Sequence, residues 1–291
     1  YLNSHATPIV LKADGLAAGK GVIISETTEE AKTTLKEMLA DKKFGDASSK
    51  VVIEEYLSGI ELSVFVLTDG KDYVILPEAK DYKRIGEKDT GLNTGGMGAV
   101  SPVSFADKLF LEEVENTIII PTIDGLKKEN IVYRGFIFIG IMSVAGRPYV
   151  IEYNARMGDP ETEVVIPRIK NDFLELLIKT GRTELKGAKI DISSETATTI
   201  MLVAGGYPGD YKKGDVISGL SDAKDVLTFH AGTLVKGGDV VTNGGRVIAL
   251  TGFGNSIEEA IEKSNKAAEA ITWNGRYFRR DIGLDLLELA K

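Results

Sequence analysis

The sequence predicts an α+β chain whose sheets are largely antiparallel, and three observations carry that prediction. Apolar runs of strand length are interleaved with amphipathic helical stretches over the whole chain. One strand pair, residues 64–67 and 73–76, is joined through an Asp69-Gly70 turn, the strongest short-range signal for an antiparallel hairpin. The last third, from Thr196 on, is rich in short strands punctuated by glycine pairs at Gly205-Gly206, Gly237-Gly238 and Gly244-Gly245.

Three regions follow from the order of elements. The first, residues 1–57, opens with a strand at 8–13, a glycine-rich loop at 14–21 and a second strand at 22–25. A helix comes next: Thr27 and Glu30 form a capping box, and Ala31, Leu35, Met38 and Leu39 make its apolar stripe. A short strand, Val51-Val52-Ile53, closes the region. The second, residues 58–195, mixes strands and helices around the Asp69-Gly70 hairpin. The third, residues 196–291, is a small β-rich C-terminal domain with one helix. Ser256 and Glu259 cap that helix, and Ala260, Ile261, Ala268 and Ile271 are its buried face.

Composition removes several kinds of chemistry. At 291 residues the chain is long enough to bury a core without disulfides or structural metals. It holds no cysteine, which excludes thiol nucleophiles and Cys-ligated zinc and fits a cytoplasmic setting. A formal charge of −8 argues against general affinity for nucleic acid. No apolar run approaches the ~18 residues needed to cross a bilayer, so no membrane role is expected. Only His5 and His230 are present. The first is read as an exposed loop residue and the second as structural, neither with companions at metal-ligand spacing. A chain so poor in histidine points to chemistry run by a metal ion, carboxylates and cations.

The loop from Asp14 to Gly21 looks like a phosphate-binding loop but departs from the P-loop template. Gly15 and Gly19 are too close, Gly21 stands where Ser or Thr is required after Lys20, and the loop joins two strands. A glycine-rich hairpin tip can still fold over triphosphate oxygens, with Lys12 and Lys20 supplying charge. A flexible hairpin with two solvated lysines explains the same residues equally well.

Glu54, Glu55 and Glu61 follow the strand at 51–53 and suit a purine edge and a ribose, or simply a solvated strand end. More informative is the run Tyr149 to Arg156. Read as a strand, it places Glu152, Asn154 and Arg156 on one face, with neighbours about 6.5–7 Å apart, near enough for Glu152 and Asn154 to share one cation. Magnesium takes few protein oxygens plus substrate phosphates, and Arg156 beyond the pair would neutralise a phosphate. Asp159 and Pro160 read as N-cap and first residue of a helix whose free N–H groups face an anion. Between these segments lie Lys83 and Arg84, suited to clamp an anion, and a glycine-rich stretch including Asn93, Thr94, Gly95, Gly96 and Met97, suited to close backbone approach to a small ligand. An ordinary mobile loop is the plain alternative for that stretch.

In their order these motifs resemble the ATP-grasp superfamily, in which a lysine-bearing hairpin and a mixed sheet hold ATP. Their wording is similar to the phosphoribosylamine–glycine ligase family over essentially the whole chain: KADGLAAGKGV at 12–22, IEEYLSGIE at 53–61, DTGLNTGGMGAVSP at 89–102 and EYNARMGDPET at 152–162, then AGGYPGDY at 204–211, FHAGT at 229–233 and GGRV at 244–247.

The resemblance implies an ATP-grasp fold with a small C-terminal domain. It also implies ligation of glycine to 5-phosphoribosylamine through glycyl phosphate, with ATP and magnesium, manganese being an alternative metal. Carried over by residue, Lys12 with Gly15, Gly19, Lys20 and Gly21 would contact the phosphates, Glu54 and Leu57 the adenine, and Glu61 the ribose. Glu152 and Asn154 would bind the metal. The 93–98 loop, with Arg156 and Asp159, would lie by the glycine and phosphoribosylamine site, and Arg156, Asp159 and Lys83 are the candidate catalytic residues. Tyr82, Leu92, Ala155 and Met157 depart from the common family wording without touching these roles.

The chain opens at Tyr1, and relatives begin with a Rossmann-like domain that helps hold the phosphoribosyl phosphate. The expectation is therefore a missing N-terminal domain, with Mg-ATP binding retained and poor turnover by the 291 residues alone. Two other readings stay open at this point: another ATP-grasp carboxylate–amine ligase, and a nucleotide-binding module without turnover.

Overall fold

The computed structural model describes residues 1–17 and 21–289, in two compact units, Tyr1–Gly59 and Ile60–Lys291. In the first unit, strands β1 (Ile9–Ala13) and β2 (Val22–Ser25) precede helix α1 (Thr28–Leu39), and β3 (Val51–Glu55) follows it. The strands form an antiparallel sheet in the order β2-β1-β3. Period-two alternation turns Ile9 and Leu11 onto a small core with Ala31 and Met38 of α1, leaving Val10 and Lys12 on the opposite face. The α1 cap forms as expected, the Glu30 N–H donating to Thr27 Oγ1 at 3.2 Å. Its return bond goes one residue further out, from the Glu26 N–H to Glu30 Oε2 at 2.9 Å. Leu39, expected in the apolar stripe, is exposed because it lies in the last turn, beyond the end of the sheet's core. The strand β3 is half-buried rather than buried.

The second unit is built on one eight-stranded antiparallel sheet. Its strands are β4 (Ile60–Thr68), β5 (Tyr73–Asp81), the short pair β6 (Arg84–Gly86) and β7 (Thr90–Asn93) outside the main sheet, and β8 (Gly98–Ser101). Helices α2 (Lys108–Val114) and α3 (Ile120–Lys128) come next, then β9 (Gly135–Val144), β10 (Arg147–Asn154), the single turn α4 (Thr162–Val165) and α5 (Phe173–Arg182). The chain ends with β11 (Thr196–Val203), β12 (Val226–His230), the outlying hairpin β13 (Thr233–Lys236) and β14 (Asp239–Thr242), β15 (Arg246–Gly254), α6 (Ile257–Ala270) and α7 (Leu284–Leu289).

The order in the sheet is β10-β9-β4-β5-β8-β11-β15-β12. Strands of residues 58–195 and of 196–291 thus join in one sheet at the β8–β11 pair, where Ala197 faces Ser101 and Ile200 faces Gly98. Both faces of the sheet are covered. Along β4, Leu62, Val64 and Val66 enter one core and Phe65 and Leu67 the other. That is why β4 reads as an unbroken apolar run rather than an alternating one. The Asp69-Gly70 turn is built tightly, with Asp69 accepting the N–H groups of Lys71, Asp72 and Leu185. Burial raises the Asp69 carboxyl, but these three donors outweigh it and hold the group below the usual carboxylate range. Among the described residues no helix is long and apolar enough to cross a membrane.

Candidate active site

Strand β10 ends at the residues that the sequence marks for metal. A register shift between Val150 and Glu152 breaks the β9–β10 ladder just before them, and such irregularities re-aim side chains at sheet edges. Glu152 stands opposite Gly140, and Asn154 opposite Phe138. A Cβ at Gly140 would lie 3.2 Å from Glu152 Cγ, so the glycine leaves room for the glutamate to lie across its neighbour strand. The Asn154 amide nitrogen is 3.3 Å from Glu152 Oε1. Turning that amide over would present Asn154 Oδ1 beside the same carboxylate.

A carboxylate and an amide oxygen side by side on a solvent-facing strand end suit magnesium, which keeps most of its shell for phosphate and water. Among the described residues no three His, Cys, Asp or Glu side chains converge on a metal position, so this is not an all-protein cage. Arg156, exposed just beyond, donates to the Met157 carbonyl at 2.9 Å and lies over the Phe138 ring.

Beside this strand end the structure gathers a charged cluster that the sequence only half reveals. Lys83 forms a close ion pair with Glu61 of β4. Asp81, at the end of β5, and Glu161, buried at 3% exposure, complete it. Burial pushes the Asp81 carboxyl up to about 6, partly offset by Lys83 and reinforced by Glu61. Burial and then the Asp81 charge push Glu161 up to about 7, with Ser63 donating to Glu161 Oε1 at 3.0 Å. Desolvation works against the Lys83 ammonium, but Asp81 and Glu61 outweigh it and raise Lys83 above its ordinary range. Lys83 therefore stays charged at any working pH. Ser63, Asp81 and Glu161 are not among the site residues expected from the sequence. Glu161 stands inside the 152–162 motif and Asp81 two residues before Lys83, whereas nothing local marks Ser63, which comes from the apolar run of β4.

Asp159 does not cap a helix. Its carboxylate is taken by Arg246 Nη2 at 2.5 Å, and α4 begins only at Thr162 with Glu161 before it, a single turn that offers no anion site. The 93–98 loop is tied down along its length. Thr94 donates to the Lys83 carbonyl from both its N–H and its hydroxyl, and the Met97 N–H donates to the Tyr82 carbonyl. Asn93 is exposed, while the Met97 side chain is fully buried in the core rather than presented at the loop surface. Gly96 has φ +116 and lies against Pro160, where a Cβ would stand 2.3 Å from Pro160 Cδ.

In the first unit, Lys12 and Glu54 meet at 2.5 Å on the sheet face away from α1. The Gly15 N–H is committed to the Ala47 carbonyl and so is not spare for a phosphate, and the Gly21 carbonyl accepts from the Ala13 N–H. Gly19 and Lys20 lie outside the described residues. Leu57 is half-buried. His5 is exposed and stacks on Tyr1. His230 is exposed too, at the end of β12, with Nδ1 3.0 Å from Thr233 Oγ1 across the turn into β13.

A mixed α+β fold with a lysine-bearing hairpin, and a carboxylate beside an amide at the end of an antiparallel strand, are features of the ATP-grasp class, whose members use ATP and a divalent metal. Comparison with known proteins narrows this. Residues 1–162 match the phosphoribosylglycinamide synthetase ATP-grasp (A) domain and residues 197–285 match the C domain of the same synthetase. Phosphoribosylamine–glycine ligase of Haemophilus influenzae is 46% identical over 99% of this chain and 68% of its own length. That of Vibrio vulnificus is 46% identical over 97% and 67%. The crystal structure of phosphoribosylamine–glycine ligase from Thermotoga maritima superposes with a TM-score of 0.89 at 38% identity, covering 97% of this chain and 70% of that one. A biotin carboxylase domain from Hydrogenobacter thermophilus, at 17% identity and a TM-score of 0.66, shares the fold. The chain belongs to the phosphoribosylamine–glycine ligase family, ATP-dependent carbon–nitrogen ligases of purine biosynthesis. It spans about two thirds of the length of the curated relatives it matches.

Proposed function

We propose that this chain carries the nucleotide, metal and acyl-transfer machinery that joins glycine to 5-phosphoribosylamine, with ATP and magnesium. The observation that carries the reading is the Glu152–Asn154 pair over Gly140. It places a carboxylate and a side-chain amide together on an open strand end, and turning the amide over completes a two-oxygen face. Glu152 and Asn154 would hold magnesium, which would supply positive charge against the phosphates; manganese would serve the same donors.

Lys12 and the loop after it contact the phosphates. Glu54 and Leu57 meet the adenine, and Glu61 accepts the ribose hydroxyls with the oxygen that Lys83 leaves open. The glycine carboxylate attacks the γ-phosphorus, the β–γ bridging bond breaks, and ADP leaves with that electron pair. Arg156 and Lys83 hold the charge that spreads over the transferred group, since phosphoryl transfer is mainly positioning and electrostatics. The amine of phosphoribosylamine then attacks the glycyl carbonyl, loses a proton and expels phosphate. Asn93, Thr94, Gly95 and Gly96 orient the two small substrates, with Asp159 facing them. No histidine is required, because the amine is already a nucleophile.

The test is phosphate release from Mg-ATP by the full-length protein. Release that requires both glycine and phosphoribosylamine is the expected result. Release driven equally by other carboxylates, or none at all, would remove the substrate assignment and leave the fold.

A further inference from the structure

The middle of the 93–98 loop is held from far away in the sequence. Gly95 donates its N–H to the Tyr207 hydroxyl at 2.9 Å and its carbonyl accepts from Arg246 Nη1 at 2.5 Å. The same Nη1 reaches the Asp159 carbonyl at 3.2 Å, and Nη2 reaches Asp159 Oδ2 at 2.5 Å. One guanidinium therefore bridges two segments, the glycine loop and the turn that ends the metal strand. Thr94 and Met97 fix the loop's two ends by donating to the Lys83 and Tyr82 carbonyls.

Close packing leaves no slack in this bridge. A Cβ at Gly95 would stand 2.9 Å from Arg246 Cζ, and one at Gly245 would stand 2.3 Å from the Tyr207 ring. The Ala204 N–H donates to the Gly245 carbonyl, which joins the tyrosine's turn to the arginine's strand. These glycines fit because backbone and side chains approach to contact there. The planar fork of arginine is suited to such a bridge. It offers several donors in a fixed plane, and here three different oxygens lie within its reach.

We propose that Arg246 and Tyr207 are positioning residues of the ligase. They set the distance between the 93–97 loop and Asp159 and so fix the site for glycine and phosphoribosylamine, while leaving the nucleotide contacts untouched. The inference rests on the reading of the 93–97 loop as the small-substrate loop. It gives the C-terminal region a place in the reaction, since both residues come from segments after Thr196.

The test compares Arg246→Ala, Arg246→Lys and Tyr207→Phe with the unmodified full-length protein under steady-state conditions. Arg246→Ala should raise KM for glycine or phosphoribosylamine about tenfold or more, with KM for ATP within about twofold, the loss of roughly 1.4 kcal/mol of positioning per tenfold. Arg246→Lys keeps the pairing with Asp159 but cannot also bridge to Gly95, so its KM should fall between the two. Tyr207→Phe removes one hydrogen bond and should raise the same KM a few-fold. Both conservative variants keep the inference testable if Arg246→Ala does not fold. A KM for both small substrates that stays at the unmodified value overturns the inference, as does a rise in KM for ATP of equal size. Asn93→Ala and Thr94→Ala separate the two levels of reading. If neither changes the small-substrate KM, the loop reading falls and this inference with it. If they do and the Arg246 variants do not, only the positioning role falls.

Discussion

Ser63 Oγ donates to Glu161 Oε1 at 3.0 Å across 98 residues of sequence, tying the buried strand β4 to the residue just before α4. The contact matters because Glu161 is buried beside Asp81, and two carboxylates near each other in a poorly solvated place resist being ionised together. Lys83, paired with Glu61, offsets part of the charge without cancelling it.

That arrangement makes stability depend on pH in a definite direction. The Glu161 carboxyl rises from an ordinary 4.5 to about 7, so the folded chain binds its proton more tightly than the unfolded chain does. Stability from this group is full below the unfolded value and is lost as pH rises toward the folded value. Glu161→Gln keeps an acceptor for Ser63 and removes the titration. The variant should lose less stability than the unmodified chain between about pH 5 and pH 8, the two losses over that interval differing by on the order of 2 kcal/mol. Urea unfolding at three pH values measures this. Parallel curves would mean that Glu161 does not carry the dependence.

The metal face allows a graded series. Glu152→Ala removes the only charged oxygen of the pair and should lower phosphate release by about a hundredfold or more, with ATP still bound. Asn154→Ala should mainly raise the magnesium needed for half-maximal rate, by roughly tenfold. Gly140→Ala is the subtler probe. The added methyl would stand 3.2 Å from Glu152 Cγ, so Glu152 must shift by a few tenths of an ångström. A rise of a few-fold in the magnesium requirement with an unchanged melting temperature is expected. Titrating magnesium in each variant distinguishes these effects from loss of fold.

Much of this architecture is written locally, and the rest is not. The caps of α1 and α6 follow from Thr27 with Glu30 and Ser256 with Glu259, each a signal four residues long. The β4–β5 hairpin follows from Asp69-Gly70 and its flanking runs. Glu152 and Asn154 share a face because period two decides it within one strand. The features that the sequence hides depend on partners distant along the chain. Asp159 has the look of a cap, but Arg246, 87 residues on, takes its carboxylate. Met97 sits among glycines in a loop that looks solvent-facing, yet its side chain fills the core and its carbonyl accepts from the Met201 N–H. The pairing of β8 with β11, which joins the last third of the chain to the main sheet, leaves no signal in either strand alone.

Gly96 tests whether the loop's shape matters. Its φ of +116 lies where L side chains are strained, and an added Cβ would press within 2.3 Å of Pro160 Cδ. Both effects oppose alanine, so Gly96→Ala should cost about 2–3 kcal/mol and displace the loop from Asp159. Thermal unfolding should show the loss, and glycine-dependent phosphate release should fall more steeply than stability alone explains.

Arg279 offers the largest stability effect. It is almost wholly buried, and its guanidinium meets Asp281 through two bonds, at 2.8 and 2.7 Å, while also donating to Asp89 at 2.7 Å and to the Arg84 carbonyl at 3.1 Å. Asp281 in turn accepts the Lys88 N–H at 2.7 Å. Lys88 and Asp89 both have positive φ, so this network also holds two consecutive strained residues at the turn between β6 and β7. Burial raises the Asp281 carboxyl, but Arg279 and the Lys88 N–H outweigh it and hold the group below its ordinary range. A depressed carboxylate adds stability above its unfolded value and loses it as pH falls through the folded one. Arg279→Ala leaves Asp281 facing a cavity without its cation and should cost about 3–5 kcal/mol. For a unit of this size that lowers the melting temperature by roughly 6–20 °C. Arg279→Lys keeps the charge but not the fork, and should fall between the two. The Ala variant should also lose the acid sensitivity below about pH 4 that the ion pair confers. If Arg279→Ala melts within about two degrees of the unmodified chain at neutral pH, the network is not what holds the turn.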